Sequence, residues 1–260
     1  MSATAAGSCT PSAMPDTVVD VGLDVRLGIR RWTEVADQSI VVIPLGSCEQ
    51  HGPHLPLDTD TRIAVALATG LADGRDDVLV APAVAYGASW EHADFPGLLS
   101  LDHQALTAML VQLGHSATWA CGTVFVNGHG GNLRAVRAAE EQLRADGRAV
   151  LVWSPTLPDC DLHSGRVETS LMLALAPELV ALDRAEPGFI GRPPNSVFTE
   201  GVRSISPNGV LGDPTGANAQ EGRTLFESLT RSLADAVDGW VSGLAGATRS
   251  SRPRMAVDGP

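Results

Sequence analysis

The sequence has 260 residues, of which 44% are hydrophobic and 18% are charged, and its formal net charge is -12. This length and composition suit one large globular domain with a sizeable core. The chain contains no lysine, which excludes lysine Schiff-base chemistry, a P-loop lysine and a lysine general base. An acidic chain without basic clusters is also a poor nucleic-acid binder.

The N-terminal segment, residues 1–18, is small and polar, and we expect it to be flexible. It has neither a basic start nor an apolar stretch, so we predict no signal peptide, and no apolar run approaches membrane-spanning length. The four cysteines are far apart and form no CxxC pair, which fits a reducing compartment. We therefore predict a cytoplasmic protein with no membrane or nucleic-acid partner.

Apolar runs alternate with helical patterns along the rest of the chain. Strands are predicted at 40–45, 78–82, 123–126 and 149–153, and helices at 61–72, 103–120, 133–145, 171–176 and 221–244. Asp102 is the predicted N-cap of the second helix, and Asp146-Gly147 ends the third. The alternation predicts a parallel sheet with helices on both faces in a single domain, 19–244, followed by a disordered tail, 245–260.

The polar loop after the first strand, Gly46 to Asp60, carries Glu49, His51 and Asp60. Glutamate, histidine and aspartate are ligands of divalent metals. Residues two apart in an extended segment point the same way, so Glu49 and His51 can face one site. Asp58 is an alternative to Asp60 that the residues alone do not separate.

Further polar groups follow the other strands. Trp90, Glu91 and His92 come after the second strand, His129 after the third, and His163 and Glu168 after the fourth. In a parallel sheet these loops meet at the carboxyl edge, where open α/β folds bind ligands. The convergence predicts a metal-hydrolase site, and such mixed ligands suit two ions.

Several of these residues also have simpler interpretations. His103 and His115 fall in a predicted helix and are expected to be structural. For His54, a structural role and a substrate contact are equally good interpretations. For Glu91 and His92, a substrate contact and loop capping are equally good interpretations. The glycine-rich loop around His129 is also typical of a phosphate site, which the acidic, lysine-free chain disfavours.

Three motifs in order resemble the creatininase (creatinine amidohydrolase) family over residues 38–235, and others resemble its mycofactocin-maturation peptidase branch. The family motifs are 49–56 (EQHGPHLP), 127–132 (NGHGGN) and 163–170 (HSGRVETS), and the branch motifs are 57–64, 81–89 and 209–215. The resemblance implies a three-layer α/β/α sandwich with a mostly parallel central sheet, two divalent metal ions and amide hydrolysis by a homo-oligomer. The branch implies that the substrate is a modified precursor peptide, from which a cyclised, decarboxylated Val-Tyr unit is removed.

The resemblance also implies a ligand set. Glu49, Asp60 and His129 match the ligands of one metal, and His51 with Asp60 match those of the other, so that Asp60 bridges. Creatinine hydrolases place a further ligand where this chain has Gly131, and Glu168 resembles the carboxylate ligand of other branches. Zinc and iron(II) are the expected metals, with manganese as the third candidate. The departure at Gly131 argues against creatinine as the substrate, whereas Cys48 and Ser164 are minor departures.

The resulting hypothesis is a metal-dependent peptidase. His163 is the predicted general acid or base, with Asp161 a weaker candidate and Glu168 the second catalytic group. Trp90, Glu91 and His92 are predicted to shape the substrate pocket. The alternatives are an amidohydrolase acting on a cyclic amide or formamide, and a non-catalytic metal- or peptide-binding member of a maturation complex.

Overall fold

Alternate residues of three of the four strands face two separate apolar cores in the computed structural model of the protein, which describes residues 25–157 and 161–250, with the backbone alone at 198 and 245–250. Val42 and Val126 face one core, while Ile43 and Phe125 face the other. Because both faces of the sheet are buried, the strands consist of continuous apolar runs rather than alternating polar and apolar residues.

The described part of the chain forms one sheet of four parallel strands in the order β2-β1-β3-β4. The strands are β1 (Ile40–Leu45), β2 (Val78–Val80), β3 (Gly122–Asn127) and β4 (Val150–Trp153). Strands β1 and β3 pair along their whole length, with Leu45 opposite Asn127. After β1 the chain forms β2 on one side of β1, and it then crosses to form β3 on the other side of β1. The direction of the strand order therefore reverses between β1 and β3. Such a reversal opens a crevice at the carboxyl ends of β1 and β3.

Helices cover both faces of the sheet, which confirms the predicted α/β sandwich. Helices α1, α4 and α6 pack on one core, and α2 and α3 on the other. The bounds are α1 (Thr59–Ala72), α2 (His103–Ser116), α3 (Leu133–Ala145), α4 (Arg166–Leu175), α5 (Val197–Glu200) and α6 (Ala219–Ser250). None of the described helices has an apolar stretch of membrane-spanning length.

Three helices begin earlier than predicted, α1, α4 and α6, and the first two of these shifts involve candidate site residues. Helix α1 begins at Thr59, which places Asp60 in its first turn, where a carboxylate is favoured by the helix dipole. Helix α4 begins at Arg166 rather than after residue 170, which places Glu168 in its first turn. The Asp161 carboxylate accepts a hydrogen bond from the Arg166 amide, the first of the helix, at 2.6 Å. Asp161 thus caps the start of α4, although it lies five residues before Arg166 in the sequence.

The last helix is longer than predicted. Helix α6 continues beyond 244 to Ser250, because extending an existing helix through small residues avoids the cost of nucleation. The remainder of the predicted tail, and the predicted flexible segment 1–18, lie outside the described residues. Helix α2 ends at Ser116, four residues before its predicted end, while Asp102 caps it as predicted by accepting the Ala105 amide at 2.7 Å.

Candidate metal centre

A buried polar cluster lies at the carboxyl ends of β1 and β3. Glu49 and His51 follow β1, His129 follows β3, and Asp60 lies in the first turn of α1. Each of these four residues is at most 5% exposed. The structure therefore brings His129 next to the three candidate residues that the sequence placed on the loop after the first strand.

The loop after β1 is fastened at several points. Gly46 packs against Thr61, where any side chain at Gly46 would overlap the backbone of α1. The Glu49 amide donates to the Leu57 carbonyl at 3.0 Å, and the Ser47 hydroxyl donates to Asp60 Oδ2 at 2.8 Å. These bonds hold the loop across the start of α1, so that the Glu49 and Asp60 carboxylates share one buried space.

Asp60 lies between two imidazoles. Its Oδ1 atom is 3.2 Å from His51 Nε2, and its Oδ2 atom is 2.9 Å from His129 Nδ1. Burial alone raises the pKa of Asp60, but the two histidines outweigh it and hold that pKa well below its usual range. Burial lowers the pKa of His51, but Asp60 raises it more, to about 9. His129, beside Glu49 and Asp60, has its pKa raised to about 10 despite burial.

Glu49 has no hydrogen-bond partner for either carboxylate oxygen among the described residues, although its side chain is fully buried. The nearest imidazole nitrogens belong to His129, His92 and His163, at 3.3, 3.5 and 3.5 Å, beyond normal hydrogen-bond geometry. Burial raises the pKa of Glu49 to about 7. A buried carboxylate without donors is costly unless a cation balances it, so this residue fits a divalent metal ion.

Among the described residues, three overlapping groups of side chains have ligand atoms within 4.8 Å of one another. They are Glu49 with Asp60 and His129, His51 with Asp60 and Glu168, and Glu49 with His51 and His163. The first two groups coincide with the two ligand sets that the family resemblance implies, and Asp60 belongs to both. The donor chemistry of all three, carboxylate oxygen with imidazole nitrogen, suits zinc, manganese or iron(II).

The choice between Asp58 and Asp60 is resolved by their environments. The Asp58 side chain is 45% exposed and pairs with Arg62 on the surface, at 2.7 Å. Asp60 is 2% exposed and faces the cluster. Asp58 therefore takes no part in the centre.

Gly131 has no room for a side chain. A Cβ atom there would overlap the Ala88 carbonyl oxygen and His129 Nε2. The ligand that creatinine hydrolases have at this position is therefore excluded by packing as well as by sequence. Glu168 has a carboxylate oxygen within 4.8 Å of the ligand atoms of His51 and Asp60.

Glu168 is positioned by the turn before α4. Its Oε2 atom accepts the Ser164 amide at 2.6 Å, and Ser164 has a left-handed backbone with φ of 55°. That conformation is strained for a non-glycine residue and aims the amide at the carboxylate. Burial and the nearby Asp60 carboxylate raise the pKa of Glu168 to about 7.

Gln50 is a site residue that sequence reasoning missed. Its backbone oxygen lies 2.7 Å from His163 Nε2, and its side-chain nitrogen lies 2.9 Å from His92 Nδ1 and 3.0 Å from the Gly209 carbonyl. A proton on His163 Nε2 satisfies the Gln50 carbonyl and leaves Nδ1 as a lone pair towards Glu49. Burial, followed by the positive charge on His51, holds the pKa of His163 well below its usual range.

The predicted substrate residues divide between two environments. Glu91 and His92 line a cavity of about 380 Å³ with Arg192 on its wall, which we call the Arg192 cavity. Trp90 is 61% exposed and is not among the residues that line this cavity. His92 is buried and faces Glu49, which makes it part of the polar cluster.

Two of the remaining histidines, His54 and His115, have structural partners. His54 is buried, with Nε2 2.9 Å from the Thr169 hydroxyl of α4. His115 pairs with Asp146 at the surface, at 3.0 Å. Asp161, the weaker proton-transfer candidate, accepts the first amide of α4 and therefore acts as a helix-start residue. None of these contacts requires a ligand.

Comparison with known proteins points to one family. The family model described as creatininase, creatinine amidohydrolase, matches residues 30–237. Two relatives named mycofactocin precursor peptide peptidase are 47% and 45% identical. They come from Mycobacterium tuberculosis strain H37Rv and Mycolicibacterium smegmatis, and each match covers 77% of this chain and 85% of the relative. Solved structures of a manganese form of creatininase and a zinc–zinc form of a mutant creatininase align with TM-scores of 0.70. Their identities are 28% and 29%, over 82% of this chain and 97% and 96% of theirs.

Proposed function

Because the chain belongs to the creatininase family, we propose that it is a metal-dependent peptidase that hydrolyses the modified mycofactocin precursor peptide and releases its C-terminal cyclised Val-Tyr-derived unit. The observation that carries the substrate assignment is the identity of 45–47% with mycofactocin precursor peptide peptidases over most of both chains. The enzyme class, a hydrolase of amide bonds, follows from the family itself.

Two divalent ions are part of the proposal. Glu49, Asp60 and His129 would hold one, and His51, Asp60 and Glu168 the other, with Asp60 shared. When bound, such ions polarise a scissile carbonyl and lower the pKa of a water molecule so that it can attack at neutral pH. The Glu49 carboxylate, which accepts no hydrogen bond from the described residues, and the shared position of Asp60 support this assignment, with zinc, iron(II) and manganese as the candidate metals.

The chain supplies groups that orient the ligands and carry protons. The Ser47 hydroxyl fixes one oxygen of Asp60, and the Ser164 amide fixes one oxygen of Glu168. Glu168, whose other oxygen is not bound by the Ser164 amide, is the first candidate to accept a proton and return it to the leaving amine. His163 is the second candidate for proton transfer by its position, with Nδ1 3.5 Å from Glu49 Oε1, but burial lowers its pKa and makes it the weaker base of the two.

The first alternative keeps the site and changes the substrate to a small cyclic amide or formamide. The packing around Gly131 disfavours creatinine, because a creatininase-like ligand does not fit there. The second alternative, a non-catalytic binding protein, is disfavoured by the buried carboxylates with raised pKa values, which are typical of reaction centres.

The test is a product assay on protein reconstituted separately with manganese, zinc and iron(II). Each form is incubated with the modified Val-Tyr-ended peptide, creatinine and a formamidopyrimidine, and the products are identified by mass spectrometry. Release of the cyclised unit alone supports the peptidase. Hydrolysis of creatinine or the formamide without peptide cleavage supports the first alternative, and peptide binding without turnover supports the second.

Two further parts of the proposal concern the cell and the assembly. We propose a cytoplasmic location, which the free thiols of Cys48 and Cys121 support. We also propose a homo-oligomer, which sedimentation of the metal-loaded protein tests.

A further inference from the structure

Two cavities adjoin the polar cluster and share part of their walls. One is the Arg192 cavity, and the other, of about 180 Å³, we call the leucine cavity. The residues common to both walls are His129, Gly130, Leu162 and Glu168. Two candidate metal ligands therefore stand where the cavities meet, and a bond hydrolysed there has one cavity on each side.

The leucine cavity has a mainly aliphatic wall with a few polar groups. Five leucines line it, at positions 133, 157, 162, 171 and 229. Leu133 and Leu162 are 38% and 56% exposed, so apolar surface is available for a ligand to cover. Ser154 is also on the wall, and its oxygen accepts from Asn127 Nδ2 at 3.2 Å, which leaves its O–H to donate to a ligand oxygen. This wall suits an apolar ring with one hydroxyl group.

The Arg192 cavity differs in size and in chemistry. It has about twice the volume, and its wall includes Arg192 and Asn195 as well as the acidic residues Asp60, Glu91 and Glu168. A guanidinium binds carboxylates in forked geometry. This cavity therefore suits a polar chain whose carbonyl groups, and the carboxylate formed on hydrolysis, can bind Arg192.

We propose that the scissile amide lies across the junction, with the cyclised Val-Tyr-derived unit in the leucine cavity and the preceding peptide in the Arg192 cavity. The assignment rests on the proposed function. A C-terminal unit ends inside its subsite, so a small cavity suffices, whereas the preceding peptide must continue to solvent. Hydrolysis adds water across the bond: the acyl carbon gains oxygen and becomes a carboxylate on the Arg192 side, and the nitrogen leaves as an amine with a proton on the leucine side.

Gly130 stands at the junction and leaves it open. A Cβ atom at Gly130 would have no neighbour within 4 Å, whereas one at Gly131 would overlap surrounding atoms. A side chain at position 130 would thus occupy the shared space without displacing protein atoms. This makes position 130 a place to narrow the passage in a folded protein.

The assignment is tested by substitutions confined to one cavity. Leu133 lines only the leucine cavity, and Leu179, equally exposed at 38%, lines neither and serves as the matched control. We expect Leu133→Asn to weaken binding of the released unit to the metal-loaded enzyme about tenfold in calorimetry, and Leu179→Asn to leave it unchanged. We expect Arg192→Gln to raise KM for the full-length peptide while the inhibition constant of the released unit keeps its wild-type value.

A second variant is needed because Leu133 is the first residue of α3, so that a substitution there could disturb the helix. Gly130→Val is expected to keep the wild-type metal content and circular dichroism, and to weaken binding of the released unit. The assignment would be overturned if wild type, Leu133→Asn and Gly130→Val bound the released unit equally well. It would also be overturned if Arg192→Gln were the one variant in which inhibition by the unit is weakened. Failure of the wild-type enzyme to cleave the peptide would instead overturn the proposed function, since binding of the unit is measured without turnover.

Discussion

Asp60 Oδ2 lies 2.9 Å from His129 Nδ1, which joins the first turn of α1 to the loop that follows β3. The same carboxylate reaches His51, in the loop that follows β1, through its other oxygen at 3.2 Å. One side chain thus connects the two strands between which the strand order reverses. Removing its charge is expected to affect both proposed metal sites together.

The first prediction concerns this shared carboxylate. Asp60→Asn should lose both metal ions and more than about a hundredfold in kcat/KM, because even partners that only orient metal ligands cost up to that factor. Asp58→Asn is the matched control, since Asp58 is two residues away and pairs with Arg62 at the surface. Metal content by plasma mass spectrometry and circular dichroism check the result. Full metal content in folded Asp60→Asn would contradict the bridging role.

The second prediction separates the two proposed sites. Glu49→Gln and Glu168→Gln should each lower the metal content from two ions per chain to one, because each carboxylate belongs to a different ligand group with Asp60. Both variants should remain folded, since glutamine keeps the volume of glutamate. Two ions retained in Glu168→Gln would show that this residue is not a ligand and would restrict it to proton transfer.

The third prediction concerns the space around the glycine pair after His129. Gly131→Ala should lower the free energy of unfolding by about 1–3 kcal/mol, because its Cβ overlaps the Ala88 carbonyl oxygen. Gly130→Ala, with open space around its Cβ, should change it by less than about 0.5 kcal/mol. Urea unfolding of the metal-free proteins measures both values. Equal stabilities would argue that the backbone near Ala88 moves freely.

The fourth prediction is a pH dependence of stabilisation by metal. Folding raises the pKa of His51 to about 9 and that of His129 to about 10, from an ordinary value of 6.5. Folding also raises the pKa of Glu49 and Glu168 from 4.5 to about 7. In all four cases the metal-free folded protein holds the protons more tightly than the unfolded chain. The free energy of unfolding of the metal-free protein therefore declines as the pH rises through the pKa values of these four groups in the folded state.

Metal ions compete with the same protons, so metal binding strengthens as they leave. Between about pH 7 and about pH 9, the increase in melting temperature caused by manganese or zinc should therefore grow. His92 and His163, whose pKa values are lowered by burial, are neutral in both states in this range and do not oppose the trend. A metal-induced increase that is constant or shrinks with pH would contradict the assignment of these residues as ligands.

The fold was predictable from sequence because the strands are buried on both faces. Continuous apolar runs such as Ile40–Leu45 show such strands directly, and this range matches the structure residue for residue. The ends of other elements were less predictable. The start of α4 depends on the Asp161 carboxylate reaching the Arg166 amide, a contact made by tertiary placement rather than by an adjacent capping residue.

The site was predictable to the extent that its residues follow the strands. Glu49, His51 and His129 lie directly after β1 and β3, so the convergence of parallel strand ends brings them together. Gln50 was missed because a glutamine between two candidate ligands has no distinctive pattern, and its backbone carbonyl meets His163 only through folding. The residues alone did not separate Asp58 from Asp60; the family resemblance favoured Asp60, and the start of α1 shows that Asp60 faces inward.

The most direct test of the central claim is mass spectrometry of the modified Val-Tyr-ended precursor peptide after incubation with the metal-loaded enzyme. The wild-type protein and Asp58→Asn should both convert it into the cyclised unit and a shortened peptide with a new C-terminal carboxylate. Asp60→Asn, folded but without metal, should leave the peptide intact. Cleavage by Asp60→Asn at the wild-type rate, or an intact peptide with fully metal-loaded wild-type enzyme, would contradict the account.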